Sequence, residues 1–403
     1  GTRDNGRRHV GEHDPGTRES SPVGEDAIAF IRSVPTVSYA RRYDPSRRHV
    51  SAPDADAPSD DTTQDAADGT GHIPEAEWVR ALDPQTLTAG RHALERIAPM
   101  IRLAGGPFFM GDETGDFADQ RPRHEVWLDA FEIDKYEVTN RQFLMFVEAT
   151  AYRTVAERRG WSYVFDFRSA QWIRKVGACW FNPLGTGGDH DPKSLDFRAL
   201  LDHPVVHVSW NDAVAFCLWA GKRLPTEAEA EYAAKAGRIA PRYPWGERRR
   251  AGERFAANYW QGLFPRENSV ADGFLTTAPF GSFPESSNGL CDLGGNVAEW
   301  CHDRYSADYY RLSRRDNPTG PGREESEPVL APLLTITREK DGRYTVLHEE
   351  EEEPVERRCV RGGSFLSAEN NGAAYRVGVR GWQPQTLSYQ DLGFRAVRSI
   401  RER

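Results

Sequence analysis

The chain is poor in cysteine and has no long apolar run. It contains 5 cysteines in 403 residues, and none of them forms a C-x-x-C pair. An odd number of cysteines without paired spacing indicates neither a disulfide framework nor a zinc knuckle. Buried free thiols are typical of a reducing compartment, so we expect the protein in the cytoplasm. No apolar run approaches the roughly 20 residues of a membrane helix, and the N-terminal residues hold no hydrophobic signal region.

An excess of basic residues is also absent. The formal net charge is −9 at pH 7, whereas proteins that follow the phosphate backbone of a nucleic acid usually carry a basic surface. We therefore expect neither a nucleic-acid partner nor a membrane. The 36 Gly, 26 Pro and 11 Trp residues favour a loop-rich α+β body over a helical bundle or a doubly wound sheet. The length suits one large domain of roughly 250–300 residues with an extension.

Composition divides the chain into an extension, residues 1–96, and a body, residues 97–400. The run SAPDADAPSDDTTQDAADGT at 51–70 has almost nothing apolar to bury, which is typical of a disordered, low-complexity linker. Residues 74–96 hold enough Leu, Trp and Ala for one or two helical turns. An acidic insert is predicted at about 321–357. Within it, TITREKDGRYTVL indicates a hairpin that turns at Asp341 and Gly342, and HEEEEEPVERR is typical of a solvated charged loop.

Helix-capping patterns predict where three helices of the body begin. A capping residue accepts a hydrogen bond from the backbone amide of the third helical residue, and an acidic or amide side chain at that position strengthens the start. The predicted caps are Thr139, Ser209 with Asp212, and Thr226 with Glu229. Gly221 and Gly237 are predicted to end the second and third helices.

The last folded stretch, residues 361–395, has the sequence RGGSFLSAENNGAAYRVGVRGWQPQTLSYQDLGFR. It resembles the C-terminal core of the formylglycine-generating enzymes, also called sulfatase-modifying factors. The runs VSWNDAVAFCLWAGKRLPTEAE and GGNVAEW lie in the family's order, and the resemblance covers about residues 97–400. It implies an α+β, formylglycine-generating-enzyme-like fold of the C-type-lectin type. Such a fold has little regular secondary structure, long loops and a surface cleft.

The chain departs from that family at the positions that carry its chemistry. The family's GGS-aromatic-aliphatic run leads into two copper-binding cysteines, and their positions fall here on Ser367 and Gly372. Copper(I) requires soft thiolate ligands, which a serine hydroxyl and a glycine do not supply. Asp391 also replaces an asparagine of the family's cleft, and Ala230 stands where the family usually has tryptophan. We therefore expect neither copper nor the formylglycine-forming oxidation.

The resemblance also implies two structural calcium sites in residues 258–300. Glycine-rich turns with Asn, Asp and Glu supply the hard oxygen donors that calcium prefers. The first site would use the side chains of Asn258 and Asp272 with the carbonyls of Tyr259 and Phe274. The second would use the side chains of Asp292 and Glu299 with the carbonyls of Gly295 and Val297. The ions would cross-link long loops, so that binding energy stabilises the fold.

Three functions remain open on this scaffold. The first is a binding module, like the family's cysteine-less paralogue and the variable proteins of diversity-generating retroelements. Its cleft would bind a peptide, a protein or a small molecule, and Trp, Tyr and Asn side chains suit such a surface. The predicted contact residues are Glu369, Asn370, Asn371, Trp382, Gln383, Gln385, Tyr389 and Gln390.

The second possibility is an oxidoreductase of altered chemistry, similar to the pyoverdine-maturation branch: a non-copper oxidase or oxygenase, or a formylglycine-generating oxidase with an atypical site. Glu369 and Asp391 are its candidate acid–base groups, and Arg376 or Arg380 would be their electrostatic partner. The third is a structural or sensory domain whose partner meets the acidic insert. We favour the first: a calcium-stabilised protein that binds a ligand without copper chemistry.

Overall fold

The folded body begins with a helix that lies before the predicted boundary. The computed structural model of the protein describes residues 84–185, 197–251, 254–326, 328–332, 336–338, 344–346 and 352–400. Helix α1 (Pro84–Ile97) buries Leu94 and Ile97, and the Arg91 Nε donates to the carbonyl of Trp219 at 2.7 Å. The body therefore starts near residue 84 rather than at residue 97. The disorder predicted for 51–70 lies outside the described residues.

Two small sheets follow α1. Their strands are β1 (Met100–Leu103), β2 (Gly106–Met110), β3 (His124–Leu128), β4 (Phe131–Asp134) and, from the end of the chain, β17 (Val397–Ser399). Strand β4 lies between β1 and β17 and is antiparallel to both, and β2 pairs with β3. Val126, Ile133 and Val397 are fully buried between these elements. A late strand thus completes a sheet begun near the start of the body.

Four further helices form a second part of the core. They are α2 (Asn140–Thr150), α3 (Val155–Arg159), α4 (Trp210–Ala220) and α5 (Glu227–Lys235). The predicted caps are confirmed, because Thr139, Ser209 and Thr226 each accept from the amide three residues on. Gly221 ends α4 with a φ of 68°, as predicted. The C-cap of helix α5 is Ala236, one residue before the predicted Gly237.

Aromatic rings join α2 to α4. The ring of Phe146 lies 5.7 Å from Phe216 and 5.6 Å from Trp219, and Phe143 packs against Phe216 at 6.0 Å. All four side chains are buried. Helices of this length are stabilised chiefly by such packing, because a short isolated helix is marginal in water.

A four-stranded sheet holds the C-terminal segment. Its strands are β9 (Ala298–Arg304), β14 (Arg357–Arg361), β15 (Gly381–Pro384) and β16 (Leu392–Gly393), in the order β15-β14-β9-β16. The β16–β9 pair is parallel and the other two pairs are antiparallel. A bulge between Arg358 and Val360 shifts the register of β14 against β9. The sheet thereby brings residues 361–395 beside the predicted second calcium loop.

The remaining strands form two-stranded hairpins or pairs. They are β5 (Trp161–Asp166) with β6 (Gln171–Val176), β7 (Arg250–Ala251) with β8 (Arg254–Phe255), β10 (Val329–Pro332) with β13 (Glu352–Val355), and β11 (Ile336–Arg338) with β12 (Tyr344–Val346). The predicted hairpin of the insert pairs Ile336 with Val346, and its turn lies outside the described residues. The prediction of a solvated loop over HEEEEEPVERR, residues 348–358, was wrong for residues 352–355 and 357–358, which lie in β13 and β14.

The described part of the chain is a mixed α+β body with few helices and long connecting loops, as predicted. All five cysteines are free and buried. None of the helices that the structure describes is long and apolar enough to cross a membrane.

Candidate functional site

Ser367 holds a tight turn after strand β14. The Ser364 amide donates to the Ser367 Oγ at 2.9 Å, and the Ser367 amide donates to the Ser364 carbonyl at 2.9 Å. Gly363 has a φ of 64°, and a Cβ there would lie 2.7 Å from the Ser367 Oγ. Only glycine avoids both the strained φ and this close approach. The Ser367 hydroxyl is buried and fixes the turn.

Gly372 lies on the exposed side of the next turn, which the Ala373 amide closes on the Ala368 carbonyl at 2.9 Å. Its φ is 73°, and the nearest atom to an added Cβ would be a ring carbon of Phe117 at 3.5 Å. Ser367 and Gly372, which stand where the family has its two cysteines, therefore lie on one short segment. Cys301 and Cys359 lie instead in β9 and β14, where burial raises the pKa of both thiols well above its usual range.

Asp391 adjoins the Ser367 turn. The Ser364 Oγ donates to the Asp391 Oδ2 at 2.6 Å, so one hydroxyl connects the carboxylate to the turn. Burial raises the pKa of Asp391 to about 6, because it disfavours the charged form of a carboxyl group. The hydrogen bond from Ser364 opposes this rise only in part. The Asp391 carboxyl therefore titrates closer to neutrality than an exposed aspartate.

An aromatic wall stands beside this turn. The β5–β6 hairpin supplies Tyr163 and Trp172, whose ring centroids lie 5.0 Å and 5.3 Å from that of Tyr389. Trp260 donates its amide to the Ser367 carbonyl at 3.0 Å, and its buried Nε1 has no partner among the described residues. Phe264 packs on Trp260 at 5.1 Å. We call Tyr163, Trp172, Trp260, Phe264 and Tyr389 the aromatic wall.

Sequence reasoning found Tyr389 but missed the rest of this wall. The signal was present in WSYVFD, which holds three aromatic residues, and in QWIRKV, which holds one; the two runs pair in register from Trp161–Val176 to Asp166–Gln171. Runs of this kind separated by a short polar turn are typical of a hairpin. Its position against Tyr389 depends on long-range packing.

The four predicted acid–base and cationic groups do not form one constellation. Arg376 donates to Glu369 and, at 2.7 Å, to Asp116. Burial by itself raises the pKa of Glu369. Hydrogen bonds from Arg376 and from two tyrosine hydroxyls outweigh burial, so that the pKa is lowered overall. Arg380 lies in the interior, where its Nε and Nη2 donate to Glu227 at 2.7 and 2.9 Å. Only Asp391 adjoins the Ser367 turn.

The residues predicted to contact a ligand also lie in two separate places. Asn370 and Asn371 are exposed, and Asn370 bonds both the amide and the carbonyl of Phe264 at 3.1 and 2.8 Å. Trp382 and Gln383 belong to β15, where the Arg357 guanidinium lies 4.5 Å above the Trp382 ring. Asn370 therefore adjoins the aromatic wall with Tyr389, while Trp382 and Gln383 face the β14 side.

A small cavity of about 20 Å³ lies elsewhere, beside Ala230. Its lining residues include Arg361, Arg376, Arg395 and Glu299, but neither Ser367 nor Asp391. The Arg361 and Arg395 charges are used in buried ion pairs. This volume suffices for about one water molecule, so it is no alternative ligand cleft.

At the first predicted calcium site, one buried oxygen atom lacks a hydrogen-bond partner. The buried Asn258 Oδ1 has no hydrogen-bond partner in the described part of the chain. Asp272 accepts from the amides of Tyr259 and Phe274 at 3.3 and 3.1 Å, and the Gln261 Nε2 donates to both the Tyr259 carbonyl and the Asp272 Oδ2. The donor types fit calcium, and burial raises the pKa of Asp272.

The second predicted site has excess negative charge. Glu299 accepts from the Arg395 Nε and Nη2 at 2.7 and 2.6 Å, and the buried Asp292 Oδ1 has no partner among the described residues. Burial raises the pKa of Asp292 to about 7. Burial and the charges of Asp292 and Glu299 also raise the pKa of Glu137 well above its usual range. Three carboxyl groups thus share one guanidinium.

Side chains alone do not build a metal site in the described residues, because no group of three or more His, Cys, Asp or Glu converges in a way that could hold an ion. The predicted calcium sites rely on backbone carbonyls and on one amide as well. The orphaned oxygens of Asn258 and Asp292 fit such a mixed donor set. They do not fit copper, which prefers thiolates.

The mixed helix-and-strand body, with a glycine-rich turn after β14 and long loops around it, defines the class of fold. The sequence profile of the Sulfatase-modifying factor enzyme 1-like domain matches residues 85–400. The chain belongs to the sulfatase-modifying factor family, whose members include the formylglycine-generating enzymes.

Catalytic and non-catalytic relatives both match. The formylglycine-generating enzyme of Streptomyces coelicolor is 39% identical over 314 residues, which cover 74% of this chain and 88% of that protein. The inactive C-alpha-formylglycine-generating enzyme 2 of Bos taurus is 41% identical over 225 residues, covering 52% of this chain and 71% of that protein. The solved structure of PvdO from Pseudomonas aeruginosa has a TM-score of 0.48 at 25% identity, covering 75% and 94% of the two chains.

Proposed function

We propose that this protein binds a peptide or small ligand beside the Ser367 turn and does not carry out copper-dependent formylglycine formation. The observation that carries the proposal is the role of Ser367. Its hydroxyl accepts the Ser364 amide and stabilises the turn at a position where the family's chemistry needs a thiolate. A neutral hydroxyl and the Gly372 backbone cannot hold copper(I).

The aromatic wall supplies the ligand-binding surface. Trp172 is 38% exposed and lies at the edge of the wall. Aromatic side chains bring large contact areas at a small entropic cost, and the Tyr and Trp rings also offer polar atoms. Asn370 adds an exposed amide beside Phe264. Asp391 contributes a carboxyl group whose charge depends on pH near neutrality. A peptide or small ligand with an apolar group and a hydrogen-bond donor suits this surface.

The copper part of the proposal is tested by titrating copper(I) into the wild type and into the Ser367→Cys/Gly372→Cys variant. We expect stoichiometric binding by the double variant alone. We also expect no oxygen consumption by the wild type with copper and a cysteine peptide. Oxygen consumption coupled to peptide oxidation by the wild type would overturn this part. Ser367→Ala is the control, because it removes the hydroxyl without adding a thiol.

The ligand-binding part is tested by panning a displayed random-heptapeptide library against the wild type. We expect enriched peptides whose binding is reduced at least tenfold by Trp172→Ala and by Tyr389→Ala. Trp127→Ala is a matched control, since Trp127 is similarly exposed (40%) but lies in the β2–β3 hairpin. Equal losses for all three variants, or no enrichment, would contradict the assignment to the aromatic wall.

An oxidoreductase of altered chemistry is a second candidate, and one observation favours it. A carboxyl group with a pKa of about 6, such as Asp391, suits general acid–base chemistry near neutral pH. The oxygen-consumption measurement without added copper separates the two candidates. Turnover that Asp391→Asn abolishes would favour the enzyme.

A further inference from the structure

Five exposed arginines lie on and beside the β7–β8 hairpin: Arg242, Arg248, Arg249, Arg250 and Arg254. We call them the arginine surface. Three of the guanidinium groups lie over aromatic rings. The distances from the guanidinium carbon to the ring centroid are 5.6 Å for Arg242 over Tyr243, 5.8 Å for Arg249 over Tyr259, and 4.3 Å for Arg250 over Phe255.

These rings belong to one aromatic cluster. Tyr243 and Tyr259 are buried together, and Trp245 and Phe255 pack against them. The Trp245 Nε1 donates to the Arg248 carbonyl at 2.9 Å, and the Tyr259 hydroxyl donates to the Arg249 carbonyl at 3.2 Å. The backbone of the arginine surface is therefore fixed to the cluster. Guanidinium groups held in this way lose less side-chain entropy on binding than free ones.

The arginine surface has no acidic partner in the described part of the chain. None of its five side chains forms an ion pair there, whereas Arg361, Arg380 and Arg395 are each paired with glutamate. The chain as a whole has a net charge of −9, so this local excess of positive charge does not reflect the average composition. Exposed guanidinium groups bind carboxylates through paired N–H donors.

The chain itself contains a complementary segment. Residues 54–68 hold six aspartates and no lysine or arginine: Asp54, Asp56, Asp60, Asp61, Asp65 and Asp68. Residues 69–83 join Asp68 to helix α1 and span up to about 50 Å when extended. A domain of this size has a radius of gyration of about 20 Å, so the tether is long enough to reach its surface. A tether of this kind raises the effective concentration of the segment to the order of millimolar.

We propose that the aspartate-rich segment, residues 54–68, binds the arginine surface within the same chain. The contacts are charge-assisted hydrogen bonds from guanidinium groups to aspartate carboxylates. Because the five arginine side chains are exposed to water, we expect the interaction to weaken as salt shortens the Debye length from about 10 Å at 0.1 M. The proposal is independent of the ligand that the aromatic wall binds.

Zero-length cross-linking of the full chain tests this contact. Arg249→Lys/Arg250→Lys keeps both charges and introduces amines, which a carbodiimide couples to carboxylates with loss of water. In 50 mM NaCl we expect intramolecular cross-links from positions 249 and 250 to aspartates of residues 54–68, mapped by mass spectrometry. At 500 mM NaCl we expect their yield to fall at least fivefold. Arg314→Lys, which introduces an amine at an exposed arginine outside the surface, is the control.

Hydrogen exchange of the chain with all its arginines intact provides a second measurement. We expect slower exchange in residues 242–255 of the wild type than in a variant with the six aspartates changed to asparagine, and only at low salt. Cross-links to the glutamates of 349–353, cross-links only between molecules, or equal yields for Arg314→Lys would overturn the proposal. So would unchanged exchange in the asparagine variant, or tight binding of an oligothymidylate probe to the arginine surface of the wild type.

Discussion

Ser367 and Asp391 illustrate how the role of a residue depends on its neighbours. From sequence, Ser367 could be recognised only as the loss of a thiol. The structure adds that its hydroxyl closes a turn with Ser364, and that Ser364 in turn holds Asp391. These contacts join residues up to 27 positions apart. The chemical type of each side chain was therefore predictable, but its partner was not.

Asp391→Asn is expected to stabilise the protein above neutral pH. The folded-state pKa of Asp391 is raised to about 6, so the folded state binds this proton more tightly than the unfolded state, whose aspartate pKa is about 4. The stabilising contribution of the proton is present below pH 4 and is lost as the pH rises to 6. We expect the variant to gain about 3 kcal/mol in the free energy of unfolding at pH 7.5, and little at pH 4.

Urea unfolding at both pH values measures this gain. The amide oxygen that Asp391→Asn introduces would still accept from the Ser364 hydroxyl, so this variant isolates the charge, whereas Asp391→Ala also removes the hydrogen bond. We expect the alanine variant to be less stable than the asparagine variant at both pH values. The same difference between wild type and Asp391→Asn at pH 4 and 7.5 would contradict the raised pKa.

Arg380→Met is expected to destabilise the fold strongly. Arg380 makes two hydrogen bonds to the buried Glu227 and a third to the Asp119 carbonyl. Removing one partner of a buried ion pair leaves a charge without compensation, and we expect a loss of about 3–5 kcal/mol in chemical unfolding. Arg398→Met, in a partly exposed pair with Glu132, is the control and should cost less than about 1 kcal/mol. Similar losses for both would argue against the buried network.

At the scale of the elements, local patterns predicted more than distant ones. The caps of α2, α4 and α5 were predictable because a cap is fixed by residues three positions apart. The extent of α1, the strands at the end of the acidic insert and the parallel β16–β9 pair were not predicted. Their stability comes from partners far along the chain, and sequence periodicity alone does not identify such partners.

Thr226→Ala tests one cap directly. The Thr226 Oγ1 accepts from the Glu229 amide at 3.1 Å, and Glu229 bonds back to the Thr226 amide at 2.8 Å. We expect the alanine variant to lose about 1 kcal/mol in the free energy of unfolding. Thr226→Ser keeps the hydroxyl oxygen and should lie within about 0.5 kcal/mol of the wild type. A loss of equal size in both variants would point to the methyl group instead of the cap.

For the whole molecule, sequence motifs identified the family and its fold, since long runs such as GGNVAEW and RGGSF are specific. They did not locate the aromatic wall, because it unites β5, β6 and residues near 260 and 389 that are remote in sequence. They also implied the calcium sites only through resemblance. The excess of carboxyl groups around Asp292, including Glu137, became visible only in the folded structure.

Calcium is expected to raise the melting temperature. A ligand at 100 times its dissociation constant stabilises the folded state by about 2.7 kcal/mol, which corresponds to roughly 4 °C for a domain of this size. Differential scanning fluorimetry with calcium, magnesium and EDTA measures the shift. Magnesium should act less, because it prefers a smaller octahedral site.

Two variants assign that shift to the predicted sites. Asp272→Ala should reduce the response of the first site, and Asp292→Ala that of the second, so that each leaves part of the calcium shift intact. Glu285→Ala, an acidic residue whose carboxylate pairs with Lys135 on the surface, is the control and should leave the response unchanged. An unchanged response in both aspartate variants would place the ion elsewhere.

The pairing of β17 with β4 has a consequence for biosynthesis. Residues 397–399 close a sheet whose other strands lie near residues 100 and 134, so the hydrophobic face of β4 stays incompletely covered until the ribosome has released almost the whole domain. Contacts of such sequence separation form slowly. The nascent chain therefore exposes apolar surface throughout most of its synthesis, and premature termination before residue 397 leaves a product prone to aggregation.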